Sequence, residues 1–200
     1  TVDKNLVSSL KYGNVDFQSN LKVHNYDTNK FKNFLINDFD WKYKSFNFLS
    51  GVKGSLIGKF KNVNYETRNV SEYKNDPSSE FYGALGYLTE LNLYKRKNAN
   101  IEHLLTPKIL FRYAPDHMRK ESEGSRLSHL NVFSLDRLSS ADNFESGASA
   151  TLGFEYEVKD PNKEFDFTLA QVINEKENKH MPNSSSLNEK LSDIVGQSNL

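Results

Sequence analysis

Apolar and polar residues alternate over several separate stretches of this chain. Between Ser146 and Val158, one parity carries alanine, leucine, phenylalanine, tyrosine and valine, and the other carries glycine, serine, threonine and glutamate. Successive side chains of a β-strand point to opposite faces, so this stretch predicts a strand with one apolar and one polar face. The pattern returns along the whole chain and predicts an all-β protein.

Nine strands are predicted from this alternation, and together they favour an antiparallel up-and-down meander. The predicted strands cover residues 6–12, 15–24, 34–46, 54–65, 81–94, 101–113, 146–158 and 165–173, with a ninth starting near 191. In the fourth strand the apolar parity changes between Phe60 and Val63, which predicts a β-bulge near Lys61.

The connections between the predicted strands alternate in length. Short connections are predicted at 13–14, 47–53, 95–100 and 159–164, and long ones at 25–33, 66–80, 114–145 and 174–190. Short turns on one rim and long loops on the other are typical of outer-membrane β-barrels, and a tilted strand needs about 9–11 residues to cross a bilayer. The sequence therefore favours the wall of a transmembrane barrel. A soluble antiparallel sheet, with its aromatic face as the core, is the alternative.

The barrel interpretation assigns each strand residue to one of two faces. We expect these apolar residues to face lipid: Phe17, Trp41, Leu85, Phe154 and Phe167. We expect these polar residues to face the lumen: Asp16, Lys42, Arg112 and Glu155. A charge on the lipid side near the midplane costs about 2–4 kcal/mol, so Leu152→Arg is expected to impair assembly more than Thr151→Arg.

Composition agrees with a β protein and narrows the function classes. The chain has 14 Phe and 10 Tyr, which argues against disorder, and its 26 basic and 26 acidic residues show no basic block that would indicate nucleic acid. Cysteine is absent, and no apolar run is long enough for a transmembrane helix. The chain starts without an apolar signal segment, so an exported protein would be represented here by a mature or partial chain, and we expect a fragment.

Candidate catalytic chemistry is sparse. The five histidines lack metal-ligand spacing, and no glycine-rich phosphate loop is present. Two carboxylate pairs, Asp38 with Asp40 and Glu155 with Glu157, each share a strand face without a nucleophile nearby, as expected for a solvated surface. We therefore predict no catalytic residue, no cofactor, no metal site and no enzyme activity.

Two features predict a structural role instead. Pro107 lies inside a strand pattern, where proline cannot donate to the ladder, so it is a candidate for a strand kink. The connection 114–145 is long, and long connections are usually functional or disordered. Its apolar content predicts that it folds back into the lumen, although an outward-facing loop stays open. Its candidate lumen or plug-contact residues are Asn131, Phe133, Asp136 and Arg137.

Residues 104–158 carry a resemblance to a known family. The stretch combines a Leu-x-Pro strand core, an Arg-Tyr-x-Pro strand end, an Asn-x-Phe-Ser-Leu-Asp-Arg block and a Phe-Glu-x-Gly step. It resembles the C-terminal barrel domain of the LptD family, the outer-membrane lipopolysaccharide-assembly or organic solvent tolerance family. The matching residues are Leu105, Pro107, Arg112, Tyr113, Pro115, Asn131, Phe133, Ser134, Leu135, Asp136, Arg137, Asp142, Phe144, Glu145 and Gly147.

This resemblance implies that residues 1–200 are part of one large transmembrane β-barrel in the outer membrane of a Gram-negative cell envelope. It implies a transporter that assembles lipopolysaccharide into the outer leaflet. It also implies an LptE-like lipoprotein plug inside the barrel, a periplasmic LptA-like bridge and the barrel-assembly machinery as partners, with no nucleic acid. The alternative function is a soluble antiparallel β-sheet binding or adhesion module.

Overall fold

The computed structural model describes residues 1–26, 28–48, 51–97, 101–115, 117–121, 124–160 and 163–200. Strands dominate these residues, and a single 3-10 turn lies at Asn183–Ser185. The strands are β1 (Val2–Ser9), β2 (Gly13–Tyr26), β3 (Lys30–Lys42), β4 (Phe46–Phe48), β5 (Val52–Arg68), β6 (Ser78–Leu91), β7 (Leu93–Lys97), β8 (Ile101–Ala114), β9 (Gly147–Asp160), β10 (Lys163–Asn174) and β11 (Val195–Asn199). Among the described residues, no helix is long and apolar enough to cross a membrane.

All strands belong to one antiparallel sheet that follows the order of the chain. The order is β1-β2-β3-β5-β6-β8-β9-β10-β11, with β4 added to β5 and β7 added to β8. The sheet is open, with β1 and β11 at its edges. Five of its strands have 14 residues or more, compared with the usual five or six. The prediction of an all-β, antiparallel, up-and-down meander is confirmed.

Loops cover part of the polar face of the sheet, whereas the apolar face is exposed, which is the reverse of the arrangement in a soluble protein. Apolar side chains fill one face, yet they are open to the surroundings: Leu21 is 66%, Leu85 63% and Phe81 60% exposed. The opposite face carries most of the charged and polar side chains, and loops cover much of it. A water-soluble sheet packs its apolar face on a core and leaves its polar face to water. This arrangement instead suits a sheet whose apolar face lies against lipid.

The register agrees with the predicted facing of individual residues. Cross-strand pairs such as Phe17 with Phe39 and Trp41 with Gly58 lie on the apolar face, whereas Asp16 with Asp40 lies on the polar face. All nine residues to which the sequence assigned a face lie on the two faces in the predicted division.

Buried apolar side chains form two clusters beneath the loops, on the otherwise polar face. The first cluster joins β3, β5 and β6 to the connection after β8 and contains Phe34, Ile36, Val63, Tyr65, Tyr82, Ala84, Ala114, Leu135 and Phe144. The second joins β10 to the connections after β8 and after β10 and contains Met118, Leu127, Val132, Ala170, Val172, Met181 and Leu187. The loops are therefore packed onto the sheet and are part of the folded core.

The predicted bulge near Lys61 is wrong. The pairing of β3 with β5 runs from Phe39 with Phe60 to Ile36 with Val63 without a shift. Val63 breaks the parity because it faces the polar side, where the first cluster buries it completely. A register shift does occur in β1, between Asn5 and Val7.

Some predicted boundaries also differ. The predicted long connection at 25–33 is wrong, since β2 continues to Tyr26 and β3 starts at Lys30. Polar residues such as His24 and Lys32 pair across this hairpin because ladder hydrogen bonds use only the backbone. The first strand ends at Ser9 rather than at residue 12. The long connections after β8 and β10 are confirmed at 115–146 and 175–194.

Thr151→Arg is not a suitable control for Leu152→Arg in a test of which face contacts lipid. Thr151 is only 1% exposed, and its hydroxyl donates to the carbonyl of Val132 at 3.2 Å. An arginine at 151 would therefore disrupt the covering loop, whichever medium surrounds the sheet. A fair control needs an exposed residue on the polar face.

Leu21 and Gln18 of β2 provide that pair, since both are exposed and they lie on opposite faces. In the full-length protein, Leu21→Arg is expected to cost about 2–4 kcal/mol of folding free energy in a bilayer, and Gln18→Arg close to nothing. Folding into vesicles, followed by heat-modifiability on gels, measures the difference. Equal behaviour of the two variants would contradict the lipid-facing assignment.

Candidate functional site

The connection 115–146, here called the cap loop, lies across the polar face of the sheet. It inserts Leu135 and Phe144 into the first apolar cluster and Leu127 and Val132 into the second. Short backbone turns shape the loop, since Val132 and Ser134 donate to the carbonyls of Ser128 and Asn131. Three groups of charged side chains then attach the loop to the strands.

The first group centres on Glu145 and two arginines. Nε of Arg137 donates to one carboxylate oxygen of Glu145 at 2.7 Å, and its Nη2 donates to the other. Nη2 of Arg137 also donates to Ser149 Oγ of β9 at 3.1 Å. Arg137 is 1% exposed. A bidentate, fully desolvated pair of this kind fixes geometry strongly and leaves a costly buried charge if one partner is removed.

Arg112 of β8 donates hydrogen bonds to backbone carbonyls on both sides of the Arg137–Glu145 pair along the chain. Its Nε donates to the carbonyl of Leu135 at 2.6 Å, its Nη1 to that of Gly147 at 3.0 Å, and its Nη2 to that of Glu145. Arg112 is buried, and its Nη1 lies 3.8 Å from the Glu145 carboxylate. One side chain of the sheet therefore satisfies three carbonyls of the cap loop and its exit.

The second group joins the cap loop to β5. Nζ of Lys61 donates to the Asp136 carboxylate at 2.8 Å and to the carbonyl of Asn143 at 2.9 Å. Lys61 is buried, and Asp38 of β3 lies beside it at 4.0 Å. The other Asp136 carboxylate oxygen accepts from the backbone N–H of Glu145 at 3.3 Å. The two buried salt-bridge groups are thus connected through neighbouring residues of the loop.

The third group joins the start of the cap loop to β6. Glu80 accepts from the hydroxyls of Tyr65 and Tyr82, at 2.9 and 2.5 Å, and from Arg119. Arg119 also pairs with Asp142 at 3.1 Å. Its guanidinium lies 4.8 Å from the ring centroid of Tyr73, a distance at which cation–π attraction contributes.

Glu145 stays ionised in this setting. Burial alone would raise the pKa of its carboxyl, but the guanidinium groups of Arg137 and Arg112 outweigh it and hold the pKa below the ordinary 4.5. The pair therefore stabilises the cap loop at neutral pH and loses that contribution only under acidic conditions.

The four predicted loop residues come together, and most of their contacts are within the loop or to the sheet. Asn131 closes a turn by accepting from the backbone N–H of Ser128 at 2.8 Å, and Phe133 packs against the second apolar cluster. Asp136 pairs with Lys61, and Arg137 offers almost no surface to another molecule. Contact with a plug stays a prediction for these residues.

Pro107 lies inside β8, opposite Phe154 of β9. On the other side of β8, the ladder passes from the pair Glu90–Lys108 to the pair Leu93–Leu105 and is interrupted between them. The interruption falls where proline lacks its N–H, and the Thr106 hydroxyl bridges it with a 3.3 Å bond to Asn92. The kink itself stays a prediction.

Sequence reasoning did not predict the roles of Lys61, Arg112, Arg119 and Glu145. Arg112 entered as a lumen-facing residue and a family match, Glu145 only as a family match, and Lys61 only as the position of a predicted bulge. The available signal was a basic residue at a polar-face position within a strand, combined with an acidic residue in a long connection. Within the described part of the chain, no group of three or more His, Asp and Glu residues could hold a metal ion.

A comparison with known protein families identifies the family of this chain. The family model described as LPS transport system D, LptD, matches residues 12–200. The chain belongs to the LptD family. A comparison with curated protein sequences finds no match. LptD proteins are outer-membrane components of lipopolysaccharide transport, and the family is not a known enzyme family. The fold of the family is a transmembrane β-barrel, so the antiparallel sheet of this chain is part of such a barrel. The family favours the barrel over the soluble binding module.

Replacing Arg137 tests the buried pair. In the full-length protein, Arg137→Met leaves the Glu145 carboxylate buried without its bidentate partner and is expected to cost about 3–5 kcal/mol. Arg96→Met is the control, because Arg96 forms an exposed pair with Glu102 that contributes about 0–1 kcal/mol. Limited proteolysis should cut the cap loop far faster in Arg137→Met than in Arg96→Met. Equal cutting would show that the pair does not hold the loop.

The pKa of Glu145 predicts how the loop responds to pH. Because this pKa is lower in the folded than in the unfolded protein, the stabilisation is present above about 4.5 and is lost as pH falls further. A spin label at the exposed position Leu130 should stay immobile between about pH 7 and 5 and become mobile at lower pH. Glu145→Gln should remove this transition, whereas Glu102→Gln should keep it. A transition unchanged in Glu145→Gln would assign it to another group.

Proposed function

We propose that this protein is the outer-membrane translocon component that assembles lipopolysaccharide into the outer leaflet, and that residues 1–200 form part of its barrel wall. The main support is the reversed covering of the sheet, with an exposed apolar face and a polar face partly covered by loops, in a chain of the LptD family. Such a wall separates a bilayer from a polar lumen.

The two faces match the two parts of the cargo. Lipopolysaccharide joins acyl chains to a charged saccharide, and these parts require opposite solvents. The polar face offers the saccharide ion-paired and hydrogen-bonding groups, such as Lys59 with Asp40 and Lys108 with Glu155. The apolar face keeps the acyl chains with the lipid. The chain thus supports a route in which the saccharide travels along the polar face.

The cap loop narrows this route and provides a surface for a plug. Its attachment leaves the polar face of β1, β2 and part of β3 uncovered, with exposed polar residues such as Asp16 and Gln18. A face of mixed charge suits a protein partner, because a partner can present matching charges and hydrogen bonds. We assign this partner to an LptE-like lipoprotein. A periplasmic LptA-like bridge would deliver cargo, and the barrel-assembly machinery would insert the protein into the outer membrane.

In-cell photocrosslinking from three positions tests the proposal. From Gln18, on the uncovered polar face, we expect adducts with lipopolysaccharide. From Leu130, which is 82% exposed on the cap loop, we expect adducts with a small lipoprotein. Leu21 is the control on the apolar face of the same strand as Gln18, where we expect contact with bilayer lipid, including lipopolysaccharide of the outer leaflet, whichever route the saccharide takes.

The outcomes separate the parts of the proposal. Lipopolysaccharide adducts from Leu21 but none from Gln18 would contradict the polar route. Labelling of Leu130 only by external, membrane-impermeant reagents would place the cap loop outside the barrel and remove the plug contact. A folded, detergent-free, monomeric protein with all three positions open to water would favour the soluble module.

A further inference from the structure

A cavity opens at the end of the sheet that carries the β1–β2 turn. It has a volume of ≈ 360 Å³ and lies between that turn and the segment that follows β3. We call it the short-turn cavity. Its lining includes residues with hydroxyl, amide or ammonium side chains: Ser8, Ser9, Asn14, Lys42, Lys44 and Ser45.

The lining offers hydrogen-bond donors that the protein leaves largely unused. Lys42 and Lys44 are exposed, and neither forms an ion pair within the described part of the chain. The side-chain oxygen of Asn14 accepts from the Ser8 hydroxyl at 3.1 Å, which leaves its amide nitrogen free to donate. Two ammonium groups with neighbouring neutral donors form a site for an anion.

Local charge favours the same ligand. The two segments that build the cavity belong to stretches without any Asp or Glu, residues 4–15 and 41–65. Lys59 pairs with Asp40 and Lys61 with Asp136, whereas Lys42 and Lys44 form no ion pair within the described residues. Asp16 and Asp40 lie one cross-strand pair further along the same face, and the cavity lining itself contains two lysines and no carboxylate. A cavity with net positive charge attracts anions and rejects cations.

The backbone around the cavity is held in place before any ligand binds. Gly13 has a φ of 81°, and a Cβ there would lie 2.2 Å from the carbonyl oxygen of Lys42, so only glycine lets the turn approach β3 this closely. From the other side, the indole N–H of Trp41 donates to the carbonyl of Tyr12 at 2.8 Å. Such preorganisation lowers the cost of ordering on binding.

The position of the cavity decides between ligand sources. Asn14 and Lys42 pair across β2 and β3 on the polar face, beside Asp16 and Asp40. In the proposed barrel this face is the lumen, so the cavity opens at the lumen mouth on the short-turn rim. A phospholipid headgroup outside the barrel would meet the apolar face instead.

We propose that the short-turn cavity binds a phosphate group of the phosphorylated saccharide of lipopolysaccharide at the entrance to the lumen. This inference rests on the proposed function, which supplies the cargo. Phosphate oxygens are strong acceptors, and lysine binds them as a point charge without a fixed direction. The cavity would capture the headgroup before it passes along the polar face.

Binding of lipopolysaccharide to the full-length protein in nanodiscs tests the inference. Lys42→Gln/Lys44→Gln should weaken binding on the order of tenfold and reduce its salt dependence. The matched control is Lys176→Gln/Lys179→Gln, which removes two exposed charges at the opposite, long-loop end. Lys42→Arg/Lys44→Arg keeps the charge and should bind within about twofold of the unmodified protein.

Two further probes separate the ligand sources. Lipopolysaccharide treated with phosphatase should bind the unmodified protein and Lys42→Gln/Lys44→Gln equally. Phosphatidylglycerol should compete poorly, and competition as strong as that of lipopolysaccharide would overturn the saccharide assignment. Equal binding of untreated lipopolysaccharide by both proteins would overturn the phosphate site but leave the proposed function standing. Absence of any lipopolysaccharide binding by the unmodified protein would refute both.

Discussion

The structure of this chain depends on one buried interaction, the contact of Arg112 and Arg137 with Glu145 and the surrounding carbonyls. Arg112 belongs to β8, and its hydrogen bonds reach residues up to 35 positions away. Without it, the cap loop would leave several backbone carbonyls and a carboxylate buried without donors, which is costly in any medium. The loop can lie on the polar face only because the sheet supplies these donors.

This constraint explains how loops can cover part of the polar face of the sheet while the apolar face stays exposed. In a soluble protein, the apolar face would drive folding by leaving water. Here the two apolar clusters under the loops provide a core on the polar face, while the larger apolar face remains for lipid. The ion pairs and the first cluster stabilise the same loop segments, since Leu135 precedes Asp136 and Phe144 precedes Glu145 in the chain.

The two ends of the sheet have different physical characters. At the long-loop end, arginine, lysine, aspartate and glutamate neutralise one another in buried groups, so charge there serves rigidity. At the short-turn end, Lys42 and Lys44 are exposed beside a fixed turn and form no ion pair within the described part of the chain, so their charge is available to a ligand. In the proposed function, the exposed charge captures the anionic cargo at one end, and the rigid cap loop defines its passage at the other.

The sequence by itself determined the strands, their antiparallel order and the facing of residues such as Phe17 and Arg112, because period-2 alternation is a local property of the chain. Resemblance over residues 104–158 also indicated the family. Local pattern could not predict the unshifted register through Lys61, since Val63 breaks the alternation only to fill a cluster formed by a distant loop. The pairing of Arg137 and Arg112 with Glu145, the tight hairpin after Tyr26 and the short-turn cavity were decided by tertiary structure alone. They depend on segments that are distant in sequence and meet across the sheet. Burial there requires each charged side chain to have a partner, and the close approach of the Lys42 carbonyl requires glycine at position 13.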